Sequence, residues 1–257
     1  MSFPYIIWTL RRTGGTTLTA LVNGLSEHPT VQHEPLNEER VFGHISQSWR
    51  LDQDQNQLTQ QLQEALAKRP LIKHCFELVA PEVNQTLADV ATEFGYRHVY
   101  LDRRDEVGRI LSLELAKLTG VWGKEGSFKI YNEMEAGKRT LDPFDTASAV
   151  VHLRYCHQRR AEVQARLQET ADTYHEVYFE DVYTDFDQGR ETVGRLLDFL
   201  GIDVSTVPDY TAQLTNALKR RGQNSARVMD LVPNIDETRA ALQSNLSALQ
   251  PDAAQTS

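Results

Sequence analysis

The sequence predicts an α/β fold in which helices cover both faces of a central parallel sheet. Three observations carry this expectation. Short apolar, β-rich runs occur at residues 5–10, 71–76, 97–101 and 174–179, each stopped by a turn signal or a polar junction. Segments with apolar residues at helical spacing lie between them. The first run, Tyr-Ile-Ile-Trp-Thr-Leu, is apolar on both faces instead of alternating, as expected of a strand buried on both sides. Strands that alternate with helices at this pace form βαβ units.

Taken in order, the first strand ends at Arg11-Arg12-Thr13-Gly14-Gly15, and a helix over 16–26 follows with Leu18, Leu21, Val22 and Leu25 on one face. Leu58, Leu62, Ala65 and Leu66 mark a second helix that stops near Pro70. The second strand, 71–76, leads to a helix over 81–94 whose first turn holds Pro81, where the missing N–H costs nothing. The third strand, 97–101, feeds a helix over 105–118 closed by Gly120. A long helix spans 145–171, the fourth strand 174–179, and a helix over 191–200 ends at Gly201. Residues 38–60 and 124–142 are polar and read as long irregular segments. No linker interrupts the pattern, so a single domain over 1–257 is expected, with a flexible tail from about 250.

The composition, 40% hydrophobic and 25% charged over 257 residues, is that of an ordinary soluble globular protein. A formal net charge of -9 argues against a general nucleic-acid or anionic-membrane binder. An anion site would have to come from local clusters of basic residues. There are three: Arg11 with Arg12, Arg103 with Arg104 and Arg109, and Lys219 with Arg220 and Arg221. Cys75 and Cys156 are the only cysteines; they offer no disulfide framework and no metal spacing, which fits a reducing compartment. The first apolar run is far too short to span a bilayer, so a cytoplasmic location without integral membrane association is expected.

The loop after the first strand is the first chemical signal. A strand, a glycine loop and a helix N-terminus point backbone N–H groups and the positive end of the helix dipole at one place. Gly14 and Gly15 allow close approach of an anion, Thr13, Thr16 and Thr17 add hydroxyls, and Arg12 a permanent charge. The lysine of G-x-x-x-x-G-K-[ST] is missing, as is a G-x-G-x-x-G fingerprint. The loop therefore suits a phosphate group and not a triphosphate with magnesium. The second signal is Tyr100-Leu-Asp-Arg-Arg-Asp-Glu-Val. Arg104 ends the third strand and Ser112 lies eight residues further, two turns into the next helix. Ligands in open parallel sheets sit at such strand ends, and two cradles there imply a ligand with two separated phosphates.

On these residues the chain resembles the sulfotransferases that use 3′-phosphoadenosine 5′-phosphosulfate (PAPS), and most of all bacterial carbohydrate, trehalose and nodulation-factor types. Arg12-Thr13-Gly14-Gly15-Thr16 is similar to the family motif for the 5′-phosphosulfate, with Gly15 where serine or threonine is commoner. Arg104 and Ser112 match its spacing for the 3′-phosphate, with Arg103 an adjacent alternative. The resemblance runs from Tyr5 to about Trp122. It implies a P-loop-like three-layer α/β/α fold and in-line sulfuryl transfer to an acceptor hydroxyl, on a carbohydrate or glycolipid. It implies PAPS as co-substrate, PAP (the desulfated product) as leaving nucleotide, and no metal. Arg12, the amides of Gly14–Thr17 and Thr16 would stabilise charge on the departing phosphate. Arg220-Arg221-Gly222 looks like a late family loop that closes on the 3′-phosphate, which makes Arg221 and Gly222 candidates. Phe179-Glu180-Asp181 resembles the family's Tyr-Glu-Asp strand end, a structural feature.

Two groups could take the acceptor's proton. His74 follows Lys73 at the end of the second strand, where many relatives carry a lysine and then a histidine base, usually one residue apart. Glu34, in His33-Glu34-Pro35, matches a glutamate in a similar context in trehalose-sulfating relatives. The rival readings are a small-molecule kinase, which lacks its Gly-Lys-[ST] here, and a silent nucleotide-binding protein. The polar segments 38–60 and 124–142 would shape the acceptor pocket.

Overall fold

The computed structural model describes residues 2–122, 124–169, 173–205, 207–219 and 225–249, with the backbone alone at 124 and 125. They pack as two compact units, Met1–Arg104 with Arg159–Arg220, and Asp105–Gln158 with Arg221–Ser257.

The first unit holds a four-stranded, all-parallel sheet in the order β2-β1-β3-β4, with β1 Tyr5–Thr9, β2 Ile72–Cys75, β3 Arg97–Asp102 and β4 Tyr174–Tyr178. Every residue of β1 is buried, as its continuous apolar run predicts. On one face Tyr5, Ile7, Val99, Leu101 and Val177 pack against Leu18 and Val22 of α1 (Gly15–Asn23). Val193, Leu196 and Leu197 of α9 (Phe186–Phe199) and Leu214 and Leu218 of α10 (Tyr210–Lys219) complete that core. Trp8 on the other face lines a small cavity together with Asn84 and Ala88 of α4 (Pro81–Glu93) and Val163 and Leu167 of the long helix α7 (Thr146–Gln168). Arg166 of α7 ties to Asp89 of α4, and Gln164 to Glu176 of β4 at 2.7 Å.

Local chemistry sets the helix starts. Pro81 occupies the first turn of α4. Asp54 accepts N–H bonds from Asn56 and Gln57 at the head of α3 (Gln55–Leu66), and Asp185 from Gln188 at the head of α9. All four expected strands form within a residue of their expected ends.

The polar segments differ from expectation. Residues 38–60 hold α2 (Gly43–Asp52) and the first half of α3, and 124–142 hold α6 (Lys124–Glu135). In α2 only Gly43 and Ile45 are buried, so no apolar stripe announces the helix.

The second unit is helical: α5 (Glu106–Thr119), α6, residues 146–158 of α7, α11 (Ala226–Met229) and α12 (Ile235–Leu249). Its core gathers Ile110, Leu115, Leu153, Val228 and Leu242. The Asn234 side chain both accepts from the Phe144 amide at 2.8 Å and donates to the Phe144 carbonyl at 2.9 Å. Among the described residues, no helix is long and apolar enough to cross a membrane.

Candidate active site

The loop between β1 and α1 turns twice through the left-handed region, at Arg12 (φ 70°) and Gly14 (φ 76°). Glycine is required at the second turn: an ideal Cβ there would lie 2.7 Å from Cδ2 of Phe179 and 3.0 Å from Cε2 of Tyr183. Thr13 is buried and its hydroxyl donates to the Leu10 carbonyl at 2.7 Å, in contact with the Thr9 hydroxyl. The Thr13 side chain is therefore spent on holding the loop's shape. Thr16 is exposed and Thr17 half-buried at the start of α1. At Gly15 a Cβ would come 3.1 Å from Cε of Lys73, a tight contact that places the Lys73 side chain directly beside the loop.

Lys73 comes from β2, the neighbour of β1. Residues 30–34 run beside β2, with a parallel bridge between Thr30 and Leu71 and a 2.9 Å bond from the Glu34 amide to the Lys73 carbonyl. This places Glu34, itself left-handed at φ 58°, with its carboxylate accepting from Lys73 Nζ at 2.7 Å and from Cys75 Sγ at 3.3 Å. Desolvation would raise the Glu34 pKa, but the Lys73 ammonium and the bonds from Lys73 and Cys75 outweigh it and hold it below the usual carboxylate value. Burial alone would lower the Lys73 pKa, yet nearby Cys75, Glu34 and Glu77 leave it raised. The pair is therefore ionised at neutral pH. Beside it, the buried Glu77 carboxylate accepts from the Arg11 amide at 2.8 Å and from Arg11 Nε at 3.0 Å, pinning the loop's first turn.

His74 points the other way, because neighbours in a strand face opposite sides of the sheet. Its ring is 1% exposed, lies edge-on to Trp8 at 5.1 Å, and pairs through Nε2 with Asn84 Oδ1 at 2.7 Å. Burial lowers its pKa to about 4, although the Asn84 bond opposes this. His98, which accepts from Trp8 Nε1 at 3.0 Å, is lowered to about 4 by burial as well. Both histidines stay neutral in the folded chain while the unfolded chain takes up protons near pH 6.5. Acidification from about pH 6.5 towards 4 is therefore expected to destabilise the protein progressively. Thermal melts across that range check this, and a flat melting temperature would refute it.

Arg103 and Arg104 follow β3. The Arg104 guanidinium forms a two-pronged pair with Asp181, at 2.7 and 2.8 Å, and lies 4.1 Å over the Tyr178 ring. Its amide donates to Glu180 at 3.1 Å. Arg103 Nη1 donates to the Arg12 carbonyl at 3.5 Å, with its guanidinium 5.0 Å from the centre of the Phe179 ring. Phe179 and Tyr183 begin and end the short helix α8 (Phe179–Tyr183), and the Tyr183 hydroxyl donates to the Gly14 carbonyl at 3.2 Å. Asp102, the carboxylate at the end of β3, is matched by Arg160 at 2.9 Å.

The structure thus brings Arg12, Gly14, Gly15, Thr16 and Thr17 together with Glu34, and leaves His74 on the opposite face. Arg104 belongs to the first unit and Ser112 to the second. There, Ser112 Oγ accepts from Ser225 Oγ at 3.2 Å. Arg221 and Gly222 lie outside the described residues. Sequence reasoning missed Lys73, Glu77, Phe179 and Tyr183 as parts of the loop's surroundings. Only the i, i+4 spacing of Phe179 and Tyr183 hinted at a shared face.

No family model and no curated protein matches the sequence. Among solved structures, three chains match nearly the whole of this one. A sulfotransferase from Alicyclobacillus acidocaldarius matches 97% of this chain and 99% of its own, at TM-score 0.44 and 15% identity. The sulfotransferase domain of the Synechococcus PCC 7002 olefin synthase matches 99% of this chain and 92% of its own, at TM-score 0.42 and 16% identity. Retinol dehydratase, solved with androsterone and the inactive cofactor PAP, matches 100% of this chain and 84% of its own, at TM-score 0.39 and 15% identity.

Chemically, the end of β1 and β2 offers an arginine, a helix N-terminus and exposed hydroxyls for an anion, next to an ionised carboxylate that can accept a proton. Among the described residues, no group of three His, Cys, Asp or Glu side chains could hold a metal ion.

Proposed function

We propose that the protein is a PAPS-dependent sulfotransferase acting on an acceptor hydroxyl, of carbohydrate or glycolipid type as the sequence motifs suggest. The observation that carries this reading is the Glu34–Lys73 pair at 2.7 Å, with Lys73 packed against the glycine loop at Gly15. It sets a proton acceptor beside an anion cradle. The cradle suits the nucleotide's phosphates: its glycines admit close approach, and its donors are N–H groups, hydroxyls and a guanidinium.

The donor supplies an activated sulfuryl group, which passes in line to the acceptor oxygen as its bond to the 5′-phosphate breaks. Arg12, the amides of Gly14–Thr17 and the Thr16 hydroxyl stabilise charge that grows on the departing phosphate oxygen. Arg12 stays charged throughout and acts as an electrostatic group, not as an acid. Glu34 takes the acceptor's hydroxyl proton on a carboxylate oxygen, and Lys73 keeps that carboxylate ionised and aimed. Arg104 and Ser112, with Arg221 and Gly222, are the candidates for the 3′-phosphate. A reducing, cytoplasmic setting fits Cys75 and Cys156, both buried.

Calorimetric titration with PAP, beside ADP and ATP with magnesium, tests the reading. Metal-independent binding of PAP in preference to both is expected. Preference for ATP with magnesium would replace it with a kinase, a reading that the pairing of Asp102 with Arg160 disfavours.

A further inference from the structure

Two adjacent arginines end β3, and they diverge. Both terminal nitrogens of Arg104 go to Asp181, its amide to Glu180, and its plane lies over Tyr178. These contacts bind the end of β3 to the end of β4 and the start of α8. Arg103 turns towards the loop after β1. Its Nη1 reaches the Arg12 carbonyl at 3.5 Å, and its guanidinium lies over the Phe179 ring. That same ring sits where a side chain on Gly14 would be, 2.7 Å from an ideal Cβ. One aromatic ring therefore touches both the loop's glycine and the Arg103 guanidinium.

Asp102 accepts the Arg103 amide at 2.8 Å, while its charge is matched by Arg160, whose Nε and Nη2 lie 2.9 and 3.3 Å away. A guanidinium held over an aromatic ring by a cation–π contact also has a restricted orientation, so less freedom is lost when it takes up an anion. A fixed positive charge at the cradle adds to the field that Arg12 and the helix N-terminus create.

We infer that Arg103 is a second guanidinium of the 5′-phosphate cradle, acting beside Arg12 on the leaving-group side of the nucleotide, while Arg104 is held by Asp181. This rests on the donor reading above and adds to it a residue and a side of the ligand.

The test is a truncation series of the ligand against variants of one side chain. PAP carries both phosphates, adenosine 5′-phosphate only one and adenosine 3′-phosphate only the other. Affinities for all three are measured by calorimetry on the full chain, for the unaltered protein and for Arg103→Gln and Arg103→Lys. Arg103→Gln is expected to lose about tenfold or more for PAP and, by the same factor, for adenosine 5′-phosphate, with adenosine 3′-phosphate unchanged. Arg103→Lys keeps the charge but not the stacked fork, and is expected to fall between; it carries the test should Arg103→Gln fail to fold. Loss for PAP and adenosine 3′-phosphate, with adenosine 5′-phosphate unaffected, would move Arg103 to the other phosphate and overturn the inference. No loss for any of the three would remove it from the nucleotide site. If the unaltered protein binds PAP normally, either result sinks the inference alone. If it binds none of the three, the donor reading fails and takes the inference with it.

Discussion

Glu34→Gln is expected to lower kcat for sulfuryl transfer by about 10²–10⁴-fold, with PAP affinity nearly unchanged. The substitution keeps the side chain's size and removes its ability to hold a proton. Lys73, 7% exposed, loses its charged partner, so a stability loss of about 1–3 kcal/mol is expected as well. That is below the full figure for breaking a buried pair, because the Glu34 side chain is 23% exposed. Single-turnover rates well under the melting temperature separate the two effects. His74→Phe is the counterpart: it leaves the buried Oδ1 of Asn84 without its His74 partner, costs about 1–3 kcal/mol, and should retain most of kcat. A folded His74→Phe protein without turnover, beside an active Glu34→Gln, would reverse the assignment. The pH dependence follows from the same contacts. The folded Glu34 carboxyl is held below its ordinary value of about 4.3. Both its activity as a base and its contribution to stability are therefore complete above that value, and are lost as pH falls through the lower, folded one. A kcat plateau across neutral pH is the expected profile.

Gly14→Ala is the second large effect. A Cβ at φ 76° costs roughly 1–2 kcal/mol by itself, and the overlap with Phe179 and Tyr183 adds about 1–3 kcal/mol. Relief comes from a shift of the loop, of the two rings or of both, and a shift of the loop carries the amides of Gly15 and Thr16 with it. PAP affinity should fall by more than about tenfold, as expected when several charge-assisted bonds weaken together. Asparagine tolerates the left-handed region better than alanine, yet brings the same Cβ. Normal PAP binding by Gly14→Asn would show that the collision with Phe179 does not matter.

The strands were legible because a parallel sheet covered on both faces needs continuous apolar runs, and such runs stand out at 5–10, 71–76, 97–101 and 174–179. The helix α2 was not, since it buries almost nothing of its own. In the site, the anion loop could be read from Arg12, Gly14 and Thr16, because its chemistry is local. The choice between His74 and Glu34 could not. It turns on which face of the sheet His74 occupies and on the backbone bond that sets Glu34 against Lys73, both of them tertiary facts. Gly15 looked like a departure from the usual motif, and what a Cβ there would approach lies 58 positions along the chain (73 − 15), in the Lys73 side chain. The segment 179–183 reads as a plain strand end until β4 is placed beside β3.

That last placement separates carrying the motif from having a working cradle. The hydroxyl that steadies the Gly14 carbonyl comes from 169 residues downstream, on the segment that follows the edge strand β4. A nascent or truncated chain of residues 1–102 contains β1, the glycine loop, β2 and β3, yet lacks Phe179 and Tyr183 altogether. Closing so long a span carries an entropic cost that local contacts cannot offset. The first βα unit spells out an anion site, but the finished architecture belongs to the chain only after its distant edge strand has docked.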